Sequence, residues 1–160
     1  MSGNVQRTLT AVSAVGAGTA GGVFFAFSTF VMAGLDRLAP AASIEAMQAI
    51  NAAAPSAWFM SVLFGTALLA AGLALWSAFH LDEPAAMLRL VGGGIYLVSI
   101  VLTIGYHVPR NEALDRVDPG SSEAGARWAS YLSGWTAWNH VRTLSAIAAW
   151  ALFVAAVWTD

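Results

Sequence analysis

The groups best equipped for chemistry in this sequence crowd into one stretch, Trp135-Thr136-Ala137-Trp138-Asn139-His140-Val141-Arg142-Thr143, which runs straight into the last long apolar segment. An imidazole exchanges protons near neutrality, a guanidinium and a carboxamide hold developing negative charge, and indole rings flank flat apolar ligands. On a helix, neighbours recur at i, i+3, i+4 and i+7. Trp135, Trp138, Asn139 and Arg142 therefore form one stripe, and Thr136, His140 and Thr143 form the next. Ionisable groups in a membrane helix usually face the bundle interior, where they pair with one another. The competing reading is an interfacial anchor, because Trp gathers at the membrane boundary and Arg snorkels to it.

The elements that must position this stretch follow from composition. The chain has 160 residues, of which 58% are hydrophobic and only 10% charged, with a mean hydropathy of +0.67. Soluble domains carry about 25% charged residues, so the composition specifies an integral membrane protein. A crossing helix needs about 20 apolar residues, and four crossings use nearly the whole length. The expected fold is an all-α integral membrane four-helix bundle forming a single domain. Its spans fall at about 9–35, 57–79, 87–107 and 138–158, with short extramembrane helices between spans 1 and 2 and between spans 3 and 4. The absence of cysteine excludes disulfides, thiolate metal sites and a cysteine nucleophile. All seven basic residues are scattered arginines, which excludes a nucleic-acid-binding patch.

Span 1 carries Ala14, Gly18 and Gly22 at four-residue spacing, a face for close helix approach. It ends in Phe24-Phe25-Ala26-Phe27-Ser28-Thr29-Phe30, rings around hydroxyls that either line an aromatic pocket or form a core or lipid-facing band. After Pro40, Ser43 is a candidate N-cap for a short helix on which Gln48 and Asn51 sit three apart. Span 2 is bounded by Trp58 and Phe59 at one end and Trp76 and a solvated His80 at the other. The turn at Asp82-Glu83-Pro84 pairs spans 2 and 3 as an antiparallel hairpin. Gly92-Gly93-Gly94 in span 3 permits close backbone contact. That span ends in Tyr106-His107-Val108-Pro109-Arg110-Asn111. A residue before proline avoids the α region, so a kink or break is expected near Val108, turning His107 and Asn111 out of helical register. Four spans place Gln48 and Asn51, His107 to Asn111, and Trp135 to Arg142 at one membrane face. The arginine distribution favours the long connections facing the cytoplasm, and hence a multi-pass protein of the plasma membrane.

Four stretches together resemble the anthrone oxygenase-like family of small four-span membrane proteins along nearly the whole chain. They are residues 22–32 with Phe24, Phe27 and Ser28, residues 46–51 with Gln48 and Asn51, Val108-Pro109-Arg110-Asn111, and Trp128 through Trp135-Thr136-Ala137-Trp138-Asn139-His140-Val141-Arg142-Thr143. In that family span 3 commonly ends in Asn-Val-Pro, whereas His107 holds the first of those places here. The resemblance implies a monooxygenase-type oxidoreductase that converts an anthrone, or a similar electron-rich polycyclic phenol, to a quinone with molecular oxygen. That reaction needs a base near the activated methylene, donors for the oxyanion and flat apolar walls. His140 is then the expected base, with His107 as second candidate. Arg142, Asn139 and Asn111 are the expected donors, Trp135, Trp138, Phe24 and Phe27 the walls, and Ser28, Gln48 and Asn51 further contacts.

No cofactor is needed if the substrate anion reacts with oxygen directly. The alternative is copper or iron held by His107 and His140, completed by Asp36, Glu45 or Glu112. From a different class, a non-catalytic bundle would bind or transport a quinone-like or lipidic aromatic. A purely structural anchoring and assembly role for residues 135–143 is the third alternative. The expected partners are a small aromatic or lipidic substrate and bilayer lipid, with self-association into a homo-oligomer left open.

Overall fold

Long apolar runs punctuated by Pro, Gly and charge give five helices in the computed structural model, which describes residues 3–159. They are α1 (Gly3–Leu35), α2 (Pro40–Ala53), α3 (Ala57–Ala78), α4 (Ala86–Asp115) and α5 (Ala124–Thr159), with no strand among the described residues. Helices α1, α3, α4 and α5 are each long and apolar enough to cross a bilayer, so this is a multi-pass membrane protein built as an all-α four-helix bundle. Around the bundle, α1 packs on α3 and α5, and α4 packs on α3 and α5. Sequence neighbours are thus spatial neighbours, as short connections require.

Small side chains let these helices approach. A Cβ added at Gly16 would collide with the Thr66 side chain, and one at Gly93 would meet the Ala70 carbonyl oxygen and the Ala74 Cβ. The face expected from Ala14, Gly18 and Gly22 is only partly used. Gly18 lies against the Trp150 ring, but a Cβ at Gly22 would meet nothing within 4 Å.

Two packed cores result. The first fills the bundle with Ala17, Ala20, Phe24, Leu63, Ala70, Leu73, Tyr96, Ala149 and Phe153. The second gathers Met32, Ile44, Met47, Leu114, Trp128, Tyr131 and Trp135. Helix lengths explain it. The 36 residues of α5 reach about 54 Å at 1.5 Å per residue, well beyond the ~30 Å hydrocarbon layer. Its N-terminal turns overhang together with the ends of α1 and α4, and α2 closes over them.

The helices extend beyond the expected crossings: α1 begins at Gly3, α4 continues to Asp115 and α5 begins at Ala124. Other expectations need correction. No break falls at Val108. A π-turn at Thr103–His107 precedes Pro109, which occupies the first turn of the following helical stretch, where its missing N–H is least damaging. A second π-turn occupies Phe27–Val31 of α1. Ser43 does not cap α2: Ala39 is the N-cap and Pro40 opens the helix, while the Ser43 hydroxyl donates to the carbonyls of Leu35 (2.8 Å) and Ala39 (3.2 Å). His80 is half-buried rather than solvated, stacked on Trp76 with centroids 3.9 Å apart.

The opposite end of the bundle is tied by polar groups. Buried Arg89 donates to Thr10 Oγ1 (3.2 Å) and to Glu83 Oε2 (3.4 Å), and Glu83 Oε1 accepts from Gln6 Nε2 (3.0 Å) and Trp76 Nε1 (3.4 Å). This network joins α1, α3, α4 and the turn between α3 and α4. Gln6 donation, the largest influence, holds the Glu83 carboxyl below its usual range.

Candidate functional site

On α5 the inward face runs Trp128, Tyr131, Trp135, Asn139, Arg142, Thr143 and Ala146, all buried. Asn139 is the fixed point of this face. Its Nδ2 donates to the Phe24 carbonyl (2.8 Å) and to Ser28 Oγ (2.7 Å), beside the π-turn of α1. Such turns loosen the i→i−4 ladder and recur at functional sites. Asn139 Oδ1 in turn accepts Nε and Nη2 of Arg142, at 3.1 and 2.6 Å. Arg142 Nη1 donates to Thr103 Oγ1 (3.3 Å), and the guanidinium lies 4.0 Å over the Phe24 ring.

The partners of this buried cation, Asn139, Thr103 and the rings of Phe24 and Trp135, are neutral, and no carboxylate pairs with it among the described residues. A guanidinium has five N–H donors, so two remain uncommitted. Such an arrangement can chemically receive an anion.

His107, also buried, closes the π-turn of α4. Its Nδ1 lies 3.1 Å from the Leu102 carbonyl, which only accepts, so Nδ1 carries the proton. Nε2 is then an unprotonated lone pair, and it is buried without a partner. The ring is held edge-on to Trp135 (centroids 5.0 Å) and to Tyr106 (5.5 Å). One turn on, Asn111 Oδ1 accepts from Tyr131 Oη (2.9 Å) and Trp135 Nε1 (2.8 Å). These bonds fix the amide orientation and leave its NH2 group as an unused donor.

His107, Asn111, Trp135, Arg142, Phe24, Phe27 and Asn51 line one cavity of about 450 Å³ between the two cores, within the size range of small-molecule sites. Its remaining wall is largely apolar and comes from Phe59, Met60, Leu63 and Phe64 of α3, with Ala53–Ser56 at the joint of α2 and α3. Thr103 and the α3 wall are functional candidates that the sequence did not single out. Thr103 precedes His107 by four positions, one helical turn, and that spacing is the only sequence signal for it.

The remaining candidates are placed variously. His140 is exposed and borders a separate outer groove with Asp36, Thr136 and Ser28. Trp138 shares the stripe of Trp135 in sequence, but 43% of it is exposed and it packs on Tyr106 at 5.4 Å. Gln48 Nε2 donates to the carbonyls of Leu114 and Val117, both at 3.0 Å, so it caps the end of α4. Ser28 supports Asn139 and Thr143 from behind. Asn51 lines the cavity while donating to Asp115 Oδ1 (3.1 Å).

The copper or iron alternative required His107 and His140 to converge. They border different recesses, and no three His, Cys, Asp or Glu side chains come together among the described residues.

No curated protein and no solved structure matches this chain. The family described as anthrone oxygenase matches residues 56–152. That range holds His107, Asn111, Trp135, Asn139 and Arg142, and leaves Phe24, Phe27 and Asn51 outside. The match covers more than half of the sequence, and the chain therefore belongs to the anthrone oxygenase family.

Proposed function

We propose that the protein is a membrane-embedded oxygenase that oxidises an anthrone, or a similar electron-rich polycyclic phenol, with molecular oxygen, and that His107 rather than His140 is its base. The observation carrying this reading is the pair of an unpartnered His107 Nε2 and a carboxylate-free Arg142 on one apolar cavity. Family membership supports the reaction class.

An anthrone methylene lies between two aryl rings and is activated by a ring carbonyl. Transfer of one methylene proton to His107 Nε2 leaves an anion whose charge rests largely on that carbonyl oxygen. Arg142 and the Asn111 amide would receive the oxyanion between largely apolar walls, where such contacts are stronger than in bulk water. Trp135, Phe24 and Phe27 supply flat walls. The anion is the electron donor: oxygen adds at the deprotonated carbon, and the peroxide anion takes back the proton held on His107 Nε2, giving a hydroperoxide and restoring the base. That hydroperoxide loses its second C–H proton and a hydroxide, which combine as water, and leaves the new carbonyl of the quinone. One oxygen atom enters the product and the other leaves as water, so no bound cofactor is required.

The reading places the protein in the plasma membrane with its long connections towards the cytoplasm, following the arginine bias. Anthrone turnover by the purified protein tests it. Quinone formation should fall by about 10²–10⁴ in His107→Gln, the usual contribution of a general base, and stay near wild type in His140→Ala. Binding of the anthrone without turnover would instead favour a non-catalytic ligand carrier.

A further inference from the structure

The cavity wall contains side chains that also face outward. Phe64 on α3 and Ile104 and Val108 on α4 line the cavity, yet 39%, 54% and 42% of their surfaces are exposed. Both helices are membrane spans, so this seam opens towards lipid. Ile104 lies within the π-turn Thr103–His107 and Val108 directly follows it. Backbone there departs from the regular i→i−4 ladder, which makes this the stretch of α4 most able to yield.

From these placements we infer that ligands enter the cavity sideways from the bilayer, through the seam between α3 and α4, with Phe64, Ile104 and Val108 setting the size and polarity of what passes. The inference rests on the cavity being the ligand site proposed above. It commits the ligand to an uncharged, flat, membrane-dissolved compound that ionises only inside, where His107 and Arg142 lie deeper than the rim. An apolar rim admits such a neutral molecule and disfavours a preformed anion, whose desolvation is expensive. Charge is thus generated where its receptor waits.

The test reads entry rather than turnover. A neutral azido-anthraquinone is equilibrated into phosphatidylcholine liposomes containing the protein, photolysed after set times, and its attachment sites are mapped by mass spectrometry. Labels are expected on the cavity wall and on the rim at Phe64, Ile104 and Val108. Ile104→Trp and Val108→Trp should each slow cavity labelling by about a decade, within the usual range for entry rates, and Ile104→Ala should speed it. Val101→Trp is the control, because Val101 faces outward from the same helix, is 67% exposed and does not line the cavity. It should leave the rate unchanged. Unchanged rates in the Ile104 and Val108 variants, equal slowing in Val101→Trp, or labels confined to Ala53–Ser56 would overturn the inference. Normal cavity labelling without anthrone turnover would leave the route standing and sink the oxygenase reading alone.

Discussion

Asn139 holds Arg142 from one turn back on the same helix: a single Oδ1 accepts both Nε and Nη2 of the guanidinium, at 3.1 and 2.6 Å. The amide nitrogen of Asn139 is anchored at the same time on the Phe24 carbonyl and Ser28 Oγ. A neutral residue therefore orients a buried cation without neutralising it, and the charge stays available to the cavity. Replacing Asn139 with Leu should lower stability by about 1.5–3 kcal/mol for each lost bond to the charged group. Thermal unfolding in detergent would check this. A change near zero would mean that Arg142 is held by Thr103 and the Phe24 and Trp135 rings.

Asn111 offers a sharper separation of stability from binding. Asn111→Leu leaves Tyr131 Oη and Trp135 Nε1 without their acceptor, at about 1–3 kcal/mol for each buried orphan. Asn111→Asp keeps the oxygen that accepts both bonds and should fold nearly as well, but it places a second anion beside the cavity. Affinity for a phenolate-type inhibitor, measured by titration, should then fall in Asn111→Asp while its melting temperature stays close to wild type. Equal affinities in the two proteins would remove Asn111 from the site.

The two tryptophans of the α5 stripe should behave differently. Trp135 is buried on the cavity, whereas Trp138 faces outward on Tyr106. Trp135→Leu should weaken anthraquinone binding by about two- to tenfold, since stacked ring contacts contribute about 0.5–1.5 kcal/mol beyond area burial. Trp138→Leu should leave binding unchanged within error. Equilibrium dialysis of the two variants decides between them.

At the other end of the bundle, Glu83 gives a pH signature. Its pKa is lowered in the folded protein, chiefly by Gln6 donation. Its contribution to stability is therefore fully present above the unfolded carboxyl value, near pH 4.3, and is lost as pH falls through the lower folded value. Unfolding temperature against pH should consequently drop on acidification below about pH 5, the region where such carboxylates begin to protonate. Glu83→Gln should be less stable at neutral pH and lack that part of the slope. An identical slope in the variant would assign the acid sensitivity to other carboxylates.

The four spans and their pairing were readable because bilayer thickness fixes helix length and short connections fix neighbours. The chemistry-bearing stretch was readable as a stripe, since helical spacing alone puts Trp135, Asn139 and Arg142 on one face. Spacing gives relative angles, however, and not which angle faces the bundle. The true boundary falls inside the stripe, turning Trp138 outward, and the adjoining stripe divides as well, with Thr143 buried and His140 exposed. Pro109 was a sound signal read too strongly: the helix absorbs it with a π-turn one turn earlier, which seats His107 over the cavity. Thr103 and the α3 wall were hidden because only tertiary packing brings them to Arg142 and His107.

Anthrone-dependent oxygen uptake by the purified, metal-analysed protein tests the central assignment most directly, read beside the uncatalysed rate, His107→Ala and His140→Ala. Uptake well above background without stoichiometric metal, lost in His107→Ala and kept in His140→Ala with both variants folded, is the expected result. Uptake that survives His107→Ala and disappears in His140→Ala would contradict the account and move the chemistry to the outer groove.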